Sequence, residues 1–344
     1  MKVYIVSPYH KTGGPRSLHQ LGKKLLNKGL DVYIVYGNQS KIYNNINKPL
    51  YEDMKIDLAY KIDDDYDNVL IVPESDTSWL LRFKKIRKVV WWLSLDNYLN
   101  NNLWWHCQRK TVLLRQPKIV GDARYIFRKI KGYNVKYIKT DEEFSKIYHL
   151  YNCEYVRDYL LKKNVKYKNM QYLCGPIDIR ILDKNKLMAG KKNIVVYNPA
   201  KMDKFILKKI KKYMKKNYPN YNFIPIENMD HKEVLQWLRK AKIYIDFGYF
   251  PGPERMPREA VMEYCNIITS KRGSAKNKID VPIPEKYKFD LERKNVREIC
   301  KLIVDMSENF SAYSSDFDNY RKKVKLQINN FDVDINKFYD WICK

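Results

Sequence analysis

The chain has 344 residues, 45% of them hydrophobic and 14% aromatic, which excludes a wholly disordered protein and is enough for two domains with separate cores. Its 66 lysines and arginines against 39 aspartates and glutamates give a formal net charge of +27, which favours anionic partners such as sugar nucleotides, nucleic acid or anionic lipid. The sequence has no apolar run near ~20 residues and no secretory signal before the first strand. Its six cysteines lack a C-x-x-C motif and a matching histidine spacing, so we predict a cytoplasmic protein with reduced thiols.

A βαβ unit opens the chain. Residues 2–7 form an apolar strand, residues 16–28 have the spacing of an amphipathic helix, and residues 31–36 form the next strand. Gly13 and Gly14 lie in the turn before the helix, as glycines do in nucleotide-binding folds. The turn has neither a full G-x-G-x-x-G nor a Walker motif, so dinucleotide or ATP binding gains no support. Either the two glycines lie close to a ligand or they only allow the backbone to turn.

Two more strands of the first half end in carboxylates. Residues 68–72 lead into Glu74 and Asp76, and residues 88–93 lead into Asp96. Parallel strands bind ligands beyond their carboxyl ends, so these side chains are candidates for a base or a hydroxyl-binding carboxylate. Helix capping is the alternative role for Asp76 and Asp96.

The sequence predicts an α/β fold with two domains. The first domain covers residues 1–178, and a linker rich in lysine and aspartate covers residues 179–192. A second domain, residues 193–330, restarts the alternation of strands and helices, and residues 331–344 form a C-terminal helix. After residue 290 we predict three helical segments, at residues 296–307, 317–326 and 334–343.

The stretch 243–290 has the most specific pattern. Its order is a strand (243–247), a Gly/Pro loop, a helix from Arg258, a strand (266–269) and a basic Gly-Ser loop. The two loops and the start of the helix carry six charged side chains: Glu254, Arg255, Arg258, Glu259, Lys271 and Arg272. Cations beside a helix N-terminus and a Gly-Ser turn suit a diphosphate, whereas Glu259 fits better as an acceptor for sugar or ribose hydroxyls. The alternative is that Glu259 caps a helix and the cations form a solvated face.

This ordered unit resembles the donor-binding segment of GT-B-type glycosyltransferases. The resemblance rests on P-R-E-A at 257–260, I-I-T-S at 267–270 and the glycine loop that follows. Over a longer stretch, "IDFGYFPGPERMPREA … ITSKRGSA … DVPIPEKYKFD" resembles bacterial proteins found among capsule and O-antigen genes. The resemblance implies two Rossmann-like domains facing each other across a cleft. It also implies a nucleoside diphosphate sugar such as a UDP-sugar as donor, a saccharide or lipid-linked saccharide as acceptor, and no cofactor or metal.

Individual roles follow from the resemblance. Glu259 matches the glutamate that binds the ribose, and Lys201 matches a basic residue that reaches the diphosphate. The predicted nucleotide-sugar-binding residues are Gly13, Gly14, Arg16, Lys201, Arg255, Arg258, Glu259, Arg272 and Ser274.

The catalytic residues depart from the family pattern. The glutamate that touches the transferred sugar in many retaining members falls at Pro251, so Glu254 is the nearest carboxylate. The histidine that many relatives have after the second of the two strands is also missing, and Asp96 is the match. These departures weaken the case for retaining stereochemistry, and an inverting mechanism would instead use a carboxylate base such as Glu74 or Asp96. The predicted catalytic residues are Glu74, Asp96 and Glu254. Departure of the diphosphate would be stabilised by cations and helix N-termini without metal.

Other functions stay open. A sugar-nucleotide epimerase shares this fold, and a nucleic-acid-binding or DNA-glycosylating protein would use the positive charge directly, although nucleic acid is the less favoured partner. We also predict peripheral association of the first domain with the anionic inner face of the cell membrane. The basic residues for this docking are Lys23, Lys24, Lys28, Lys84, Lys85, Arg87 and Lys88.

Overall fold

A computed structural model describes residues 1–38, 41–179 and 183–344. The chain divides into two compact units. Unit 1 consists of Met1–Pro176 together with Asn330–Lys344, and unit 2 is Ile177–Asn329. The sequence analysis placed these divisions at residues 178 and 330. The assignment of the acceptor to unit 1 and of the donor to unit 2 stays a prediction.

Unit 1 is a Rossmann-like α/β unit. Its strands are β1 (Lys2–Ser7), β2 (Asp31–Asn38), β3 (Lys41–Ile42), β4 (Asp57–Leu58), β5 (Val69–Pro73), β6 (Arg87–Trp92), β7 (Tyr148–Tyr151) and β8 (Met170–Tyr172). Its helices are α1 (Gly13–Asn27), α2 (Leu95–Leu99), α3 (Leu103–Leu113), α4 (Lys118–Ile130), α5 (Asp141–Ser145) and α6 (Glu154–Lys162). A 3-10 segment, Glu74–Leu81, follows β5.

The sheet of unit 1 has the order β3-β2-β1-β5-β6-β7-β8, with β4 beside β2. Its pairings are parallel except for that of β2 with the short β3. From β1 the chain continues to β2 on one side, whereas β5 pairs on the other side, so the sheet has a switch point between β1 and β5. Apolar cores cover both faces of the sheet, which explains why its central strands are almost uniformly hydrophobic.

Unit 2 is a second Rossmann-like unit. Its strands are β9 (Lys192–Tyr197), β10 (Asn222–Pro225), β11 (Ala241–Asp246), β12 (Asn266–Ser270) and β13 (Lys288–Phe289). Its helices are α7 (Lys184–Ala189), α8 (Lys204–Asn217), α9 (His231–Lys240), α10 (Arg255–Met262), α11 (Val296–Glu308), α12 (Phe310–Ser314) and the start of α13 (Asp318–Ile342). The sheet has the order β10-β9-β11-β12-β13 and is parallel throughout. Its switch point lies between β9 and β11.

Three helix predictions are wrong, for physical reasons. Helix α1 begins at Gly13 and α10 at Arg255, because glycine and a first-turn proline such as Pro257 are both compatible with a helix start. The two predicted C-terminal helices are the single helix α13, since no glycine or proline interrupts its sequence. The predicted linker contains α7, and its residues 180–182 lie outside the described part of the chain.

Two further observations concern the whole chain. Among the residues that the structure describes, no helix is both long and apolar enough to cross a membrane. The cysteines are free thiols, buried except for Cys343.

Candidate functional site

The switch point of unit 2 places two predicted site residues side by side. Lys201 lies in the loop after β9, and Glu254 lies in the loop after β11. These loops leave the carboxyl ends of neighbouring strands at the place where α/β sheets bind ligands. The Lys201 ammonium and the Glu254 carboxylate form an ion pair. The structure therefore brings together a cation suited to phosphate and a carboxylate suited to a sugar hydroxyl.

Close backbone packing fixes the start of the β11–α10 loop. A Cβ at Gly248 would lie only 2.3 Å from the Lys201 carbonyl oxygen, so a larger residue cannot occupy that position without moving one of the loops. The Ser270 hydroxyl, at the end of β12, donates to the Gly248 carbonyl at 2.6 Å. Three strand-end loops are thus held together at this point.

The basic Gly-Ser loop after β12 is joined to the same β11–α10 loop. Gly273 has a left-handed backbone with φ of 55°, and a Cβ there would lie 2.0 Å from the Phe250 carbonyl oxygen. The Ser274 amide donates to that carbonyl and its hydroxyl donates to the Gly252 carbonyl, both at 2.8 Å. Ser274 is fully buried, so in this conformation its hydroxyl joins two loops.

Glu259 is the centre of a polar network on α10. It is 4% exposed, and its Oε1 lies 3.1 Å from His231 Nε2 and 3.4 Å from Arg255 Nη2. The hydrogen bond to Glu259 raises the pKa of His231, which favours the imidazolium. Arg255 also lies 3.4 Å from the Asp178 carboxylate. Glu259 is not the N-cap of α10, a position held by Glu254, so the capping alternative does not describe its contacts.

The remaining predicted cations do not all lie together. Arg258 is buried, and its guanidinium donates to the Glu254 carbonyl at 3.3 Å and to Gln327 at 3.5 Å. Arg272 stacks over the Tyr249 ring at 4.9 Å. Arg258 is thus engaged inside the fold, whereas Lys201, Arg255 and Arg272 keep part of their side chains exposed.

Two polar residues of this region were missed from the sequence. His231 opens α9, and the capping box of Asp230 and Glu233 was a local signal for a helix start there. Asp246 ends β11, is buried, and accepts hydrogen bonds from the Gly248 amide at 3.1 Å and the Tyr244 hydroxyl at 2.9 Å. Burial and the nearby negative charge of Glu254 raise the pKa of Asp246 to about 6.

In unit 1 the two glycines open helix α1. Thr12 is its N-cap but makes no side-chain capping bond, so Gly13 and Gly14 present backbone amides at the start of a 15-residue helix. Neither glycine has a left-handed backbone, and a Cβ at Gly14 would meet only Leu93 Cδ1 at an ordinary 3.7 Å. The backbone conformation at Gly13 and Gly14 therefore does not require glycine. Arg16 lies over the Tyr51 ring, 5.8 Å from its centroid.

Glu74 and Asp96 are both buried beyond the carboxyl ends of β5 and β6. Glu74 accepts hydrogen bonds from the Leu93 amide at 2.8 Å and from the Asn97 side chain at 3.2 Å. Burial raises its pKa to about 7. Asp96 pairs with Arg109 at 3.0 Å and is not the N-cap of α2, which is Ser94.

D-x-D triplets, of the kind that metal-dependent transferases use, occur at residues 63–67, 316–318 and 332–334, and several of their carboxylates are held by protein partners. Asp63 pairs with Lys2, Asp64 accepts from the backbone at 84–86, and Asp332 pairs with Lys24. Across the described ranges, no three histidine, cysteine, aspartate or glutamate side chains form a group that could hold a metal ion. Metal independence stays a prediction.

Comparisons with known proteins give a clear result only for the fold. No protein-family model and no curated protein matches the chain. Sucrose-phosphate synthase from Thermosynechococcus elongatus is 10% identical with a TM-score of 0.60, over 99% of this chain and 98% of its own. A structure described as "Trehalose-6-phosphate from E. coli bound with UDP-2-fluoro glucose" is 9% identical in sequence. Its TM-score is 0.56, over 98% of this chain and 99% of its own. WaaG, a glycosyltransferase involved in lipopolysaccharide biosynthesis, is 12% identical with a TM-score of 0.54 over 99% of both chains.

These matches extend over nearly the whole length of each chain and confirm the predicted α/β fold with two Rossmann-like domains. The chain has the GT-B fold of glycosyltransferases.

Proposed function

We propose that the protein is a GT-B glycosyltransferase that uses a nucleoside diphosphate sugar, with a UDP-sugar as the favoured donor. One observation carries the proposal: buried Glu259 lies with Arg255 and His231 on α10 and α9, beside the switch point of unit 2. A buried carboxylate next to cations is suited to accept hydrogen bonds from vicinal ribose hydroxyls while the cations face phosphate. The UDP-2-fluoro glucose bound to one similar structure supports the choice of nucleotide.

The donor diphosphate is proposed to contact Lys201, Arg255 and Arg272 and the first amides of α10. These groups combine three cationic side chains with the positive end of a helix dipole. They would stabilise the negative charge that develops on the leaving diphosphate, without a metal ion. Lys201 is paired with Glu254 in the present structure. When Lys201 pairs with the diphosphate instead, the Glu254 carboxylate is released and can accept a hydrogen bond from a hydroxyl of the transferred sugar.

Deprotonation of the acceptor is assigned to a carboxylate of unit 1. Glu74 or Asp96 would serve as base in an inverting transfer, and Gly13, Gly14 and Arg16 would contact the substrates from the start of α1. The pKa of about 7 supports Glu74, because a base with that pKa is half deprotonated at neutral pH. Asp96 pairs with Arg109, and its carboxylate oxygens are also suited to accept a hydrogen bond from an acceptor hydroxyl.

The acceptor is proposed to be a saccharide or lipid-linked saccharide of bacterial surface-polysaccharide synthesis. The sequence resemblance to capsule and O-antigen proteins supports this context, as does the structural likeness to a glycosyltransferase of lipopolysaccharide biosynthesis. Because such carriers lie in the cytoplasmic leaflet, the protein would work in the cytoplasm at the inner face of the membrane.

The test is nucleotide binding by Glu259 variants. Calorimetry with UDP should show that Glu259→Ala weakens binding by about 1.5–3 kcal/mol, the size expected for hydrogen bonds to a charged group. Glu259→Gln keeps the shape of the side chain and should lose a smaller part of the binding free energy. Glu308→Ala is the matched control, since Glu308 is an exposed glutamate at the end of α11.

The proposal fails if wild-type protein binds neither UDP nor any other nucleoside diphosphate. It also fails if folded Glu259→Ala binds UDP as tightly as wild type does. Transfer of labelled sugar from UDP-sugars to lipid-extract acceptors then tests the activity itself.

A further inference from the structure

Helix α4 has an apolar face that is open to solvent. Its members recur at helical spacing over three turns and are Ile119, Ala123, Ile126, Phe127 and Ile130; we call them the α4 face. The four large side chains are 74%, 56%, 58% and 80% exposed in that order. Three more apolar residues, at the end of α3, are about half exposed: Val112, Leu113 and Leu114. Contiguous exposed apolar surface of this kind normally marks an interaction site.

The opposite side of α4 explains why these residues face outward. Gly121 is buried against α3, where a Cβ would lie 2.6 Å from Gln108 Oε1. Gln108 also donates to Asp122 at 2.6 Å, and Arg124 donates to the Thr111 hydroxyl at 2.8 Å. The α3–α4 hairpin is therefore held together by a glycine contact and polar side chains. Its most hydrophobic stripe is not used in packing.

The charge around the α4 face is strongly positive. Residues 103–131 contain eight lysines and arginines and one acid, Asp122, which is already bonded to Gln108. Lys118, Lys129 and Lys131 are exposed on α4 or directly after it. Lys131 lies 4.5 Å from the centroid of the exposed Phe127 ring, so cations border the apolar stripe itself.

We propose that the α3–α4 hairpin is the membrane-binding surface of this protein, with α4 lying in the interface of an anionic lipid bilayer. An amphipathic helix with an apolar stripe bordered by lysine and arginine buries the stripe at the level of the acyl chains and pairs its cations with anionic head groups. A second copy of the chain would instead bring two sets of eight like charges together. The inference rests on the membrane location proposed above, but not on the donor site of unit 2.

The surface differs from the one that the sequence suggested. Among the basic residues predicted to dock, Lys24 pairs with Asp332 at 2.6 Å and Lys28 lies over the Tyr339 ring. Arg87 donates to the Ile342 carbonyl at 2.6 Å. All three are engaged by the C-terminal part of α13, whereas the α4 face combines charge with exposed apolar side chains.

Flotation with vesicles tests the proposal. Full-length protein is mixed with phosphatidylcholine vesicles that contain either 30% phosphatidylglycerol or none. We expect binding to the anionic vesicles and at least tenfold weaker binding to the neutral ones. The double variant Ile126→Gln/Phe127→Gln should lose at least tenfold in apparent affinity for anionic vesicles, and Lys129→Glu/Lys131→Glu should lose a similar factor.

Matched controls come from unit 2. Ile279→Gln changes an equally exposed isoleucine, and Lys212→Glu/Lys215→Glu removes two exposed lysines of α8. Both should leave vesicle binding within twofold of wild type. Calorimetry with UDP on the same preparations keeps the two proposals apart, because the α4 variants should bind the nucleotide as wild type does.

Three outcomes would overturn the inference. One is wild-type protein that stays unbound to anionic vesicles at low salt. Another is equal loss for the α4 variants and the unit 2 controls, which would show that total charge alone attracts the vesicles. The third is a wild-type dimer in analytical ultracentrifugation that Ile126→Gln/Phe127→Gln converts to monomer, since the α4 face would then be a contact between copies.

Discussion

Burial gives Glu74 a protonation behaviour unlike that of a surface glutamate. Its carboxyl group is almost inaccessible, and its bonds to the Leu93 amide and Asn97 do not offset the desolvation, so its pKa is raised to about 7. Because the pKa in the folded state exceeds the ordinary value of 4.5, the folded state binds the proton more tightly than the unfolded chain does. The associated stability is fully present below pH 4.5 and is lost as the pH rises through about 7.

The first prediction concerns this pH dependence. The shift corresponds to about 3 kcal/mol, so the free energy of unfolding of unit 1 should fall by about 2–3 kcal/mol between pH 5 and 8. Glu74→Gln should remove most of that fall, because the amide does not titrate. Urea unfolding at the two pH values measures the effect, with the exposed Glu52→Gln as control.

Variants of Glu74 also test whether Glu74 or Asp96 is the base of the proposed reaction. If Glu74 is the base, kcat/KM for sugar transfer should rise with pH through about 7 and Glu74→Gln should abolish that rise together with the activity. A variant that keeps the activity and its pH profile would leave Asp96 as the base and give Glu74 only the task of holding the loop after β6.

At the scale of elements, the candidate donor site is built from loops that support one another. The β11–α10 loop meets the β9 loop at Gly248 and the β12 loop at Gly273 and Ser274. A side chain at Gly248 or at Gly273 would collide with the backbone of the neighbouring loop, so the loops pack this closely only because both positions are glycine. Helix α10 begins directly after these contacts, so their geometry sets the position of Arg255 and Glu259.

The prediction at this scale is that Gly273→Ala disrupts the site. The left-handed backbone costs about 1–2 kcal/mol for alanine, and the contact of 2.0 Å with the Phe250 carbonyl adds a displacement of the loop. We expect lower stability of unit 2 and at least tenfold weaker UDP binding. Gly132→Ala is the control: it has φ of 73° but no atom within 4 Å, so it should cost only about 1–2 kcal/mol.

Urea unfolding and calorimetry measure the two effects. Unchanged UDP affinity in Gly273→Ala would show that the contact with the β11–α10 loop is not needed for nucleotide binding.

At the scale of the molecule, helix α13 belongs to both units. Its first part lies in unit 2, and its end returns to the core of unit 1 with Phe331, Ile335, Phe338 and Ile342. Trp341 stacks on Tyr148 with centroids 4.2 Å apart. The core of unit 1 is therefore completed only when the last residues of the chain are in place.

The prediction is that a core mutation in α13 unfolds one unit selectively. Phe338 is fully buried, so Phe338→Ala should destabilise unit 1 by about 3–5 kcal/mol. Phe317→Ala, equally buried in the core of unit 2, is the matched variant. Hydrogen exchange should increase in β1, β6 and β7 for Phe338→Ala and in β9, β11 and β12 for Phe317→Ala. Equal increases in both units for either variant would show that the units unfold as one.

Much of the fold follows from local patterns. Short runs of valine, isoleucine and leucine between glycine, proline and polar turns predicted central strands, such as 68–72, because a strand buried on both faces is mostly apolar. Alternation of strands with amphipathic helices predicted an α/β fold with two domains, since parallel strands need helical crossovers, and the family resemblance implied that both are Rossmann-like. The same rule placed the charged loops of 243–290 at a ligand-binding edge. Sequence alone therefore determined the fold class and the neighbourhood of the candidate site.

Only the tertiary structure decided which of those residues meet. The bond between His231 and Glu259 joins residues 28 positions apart, and Arg258 is turned inward to Gln327, 69 positions away. Likewise, the apolar residues of α4 recur at helical spacing, but only the contact of Gly121 with α3 shows that the opposite side of the helix is the one that packs. Hydrophobic periodicity reports what a segment can bury, whereas its actual partners depend on how distant segments pack, and no local pattern encodes that choice.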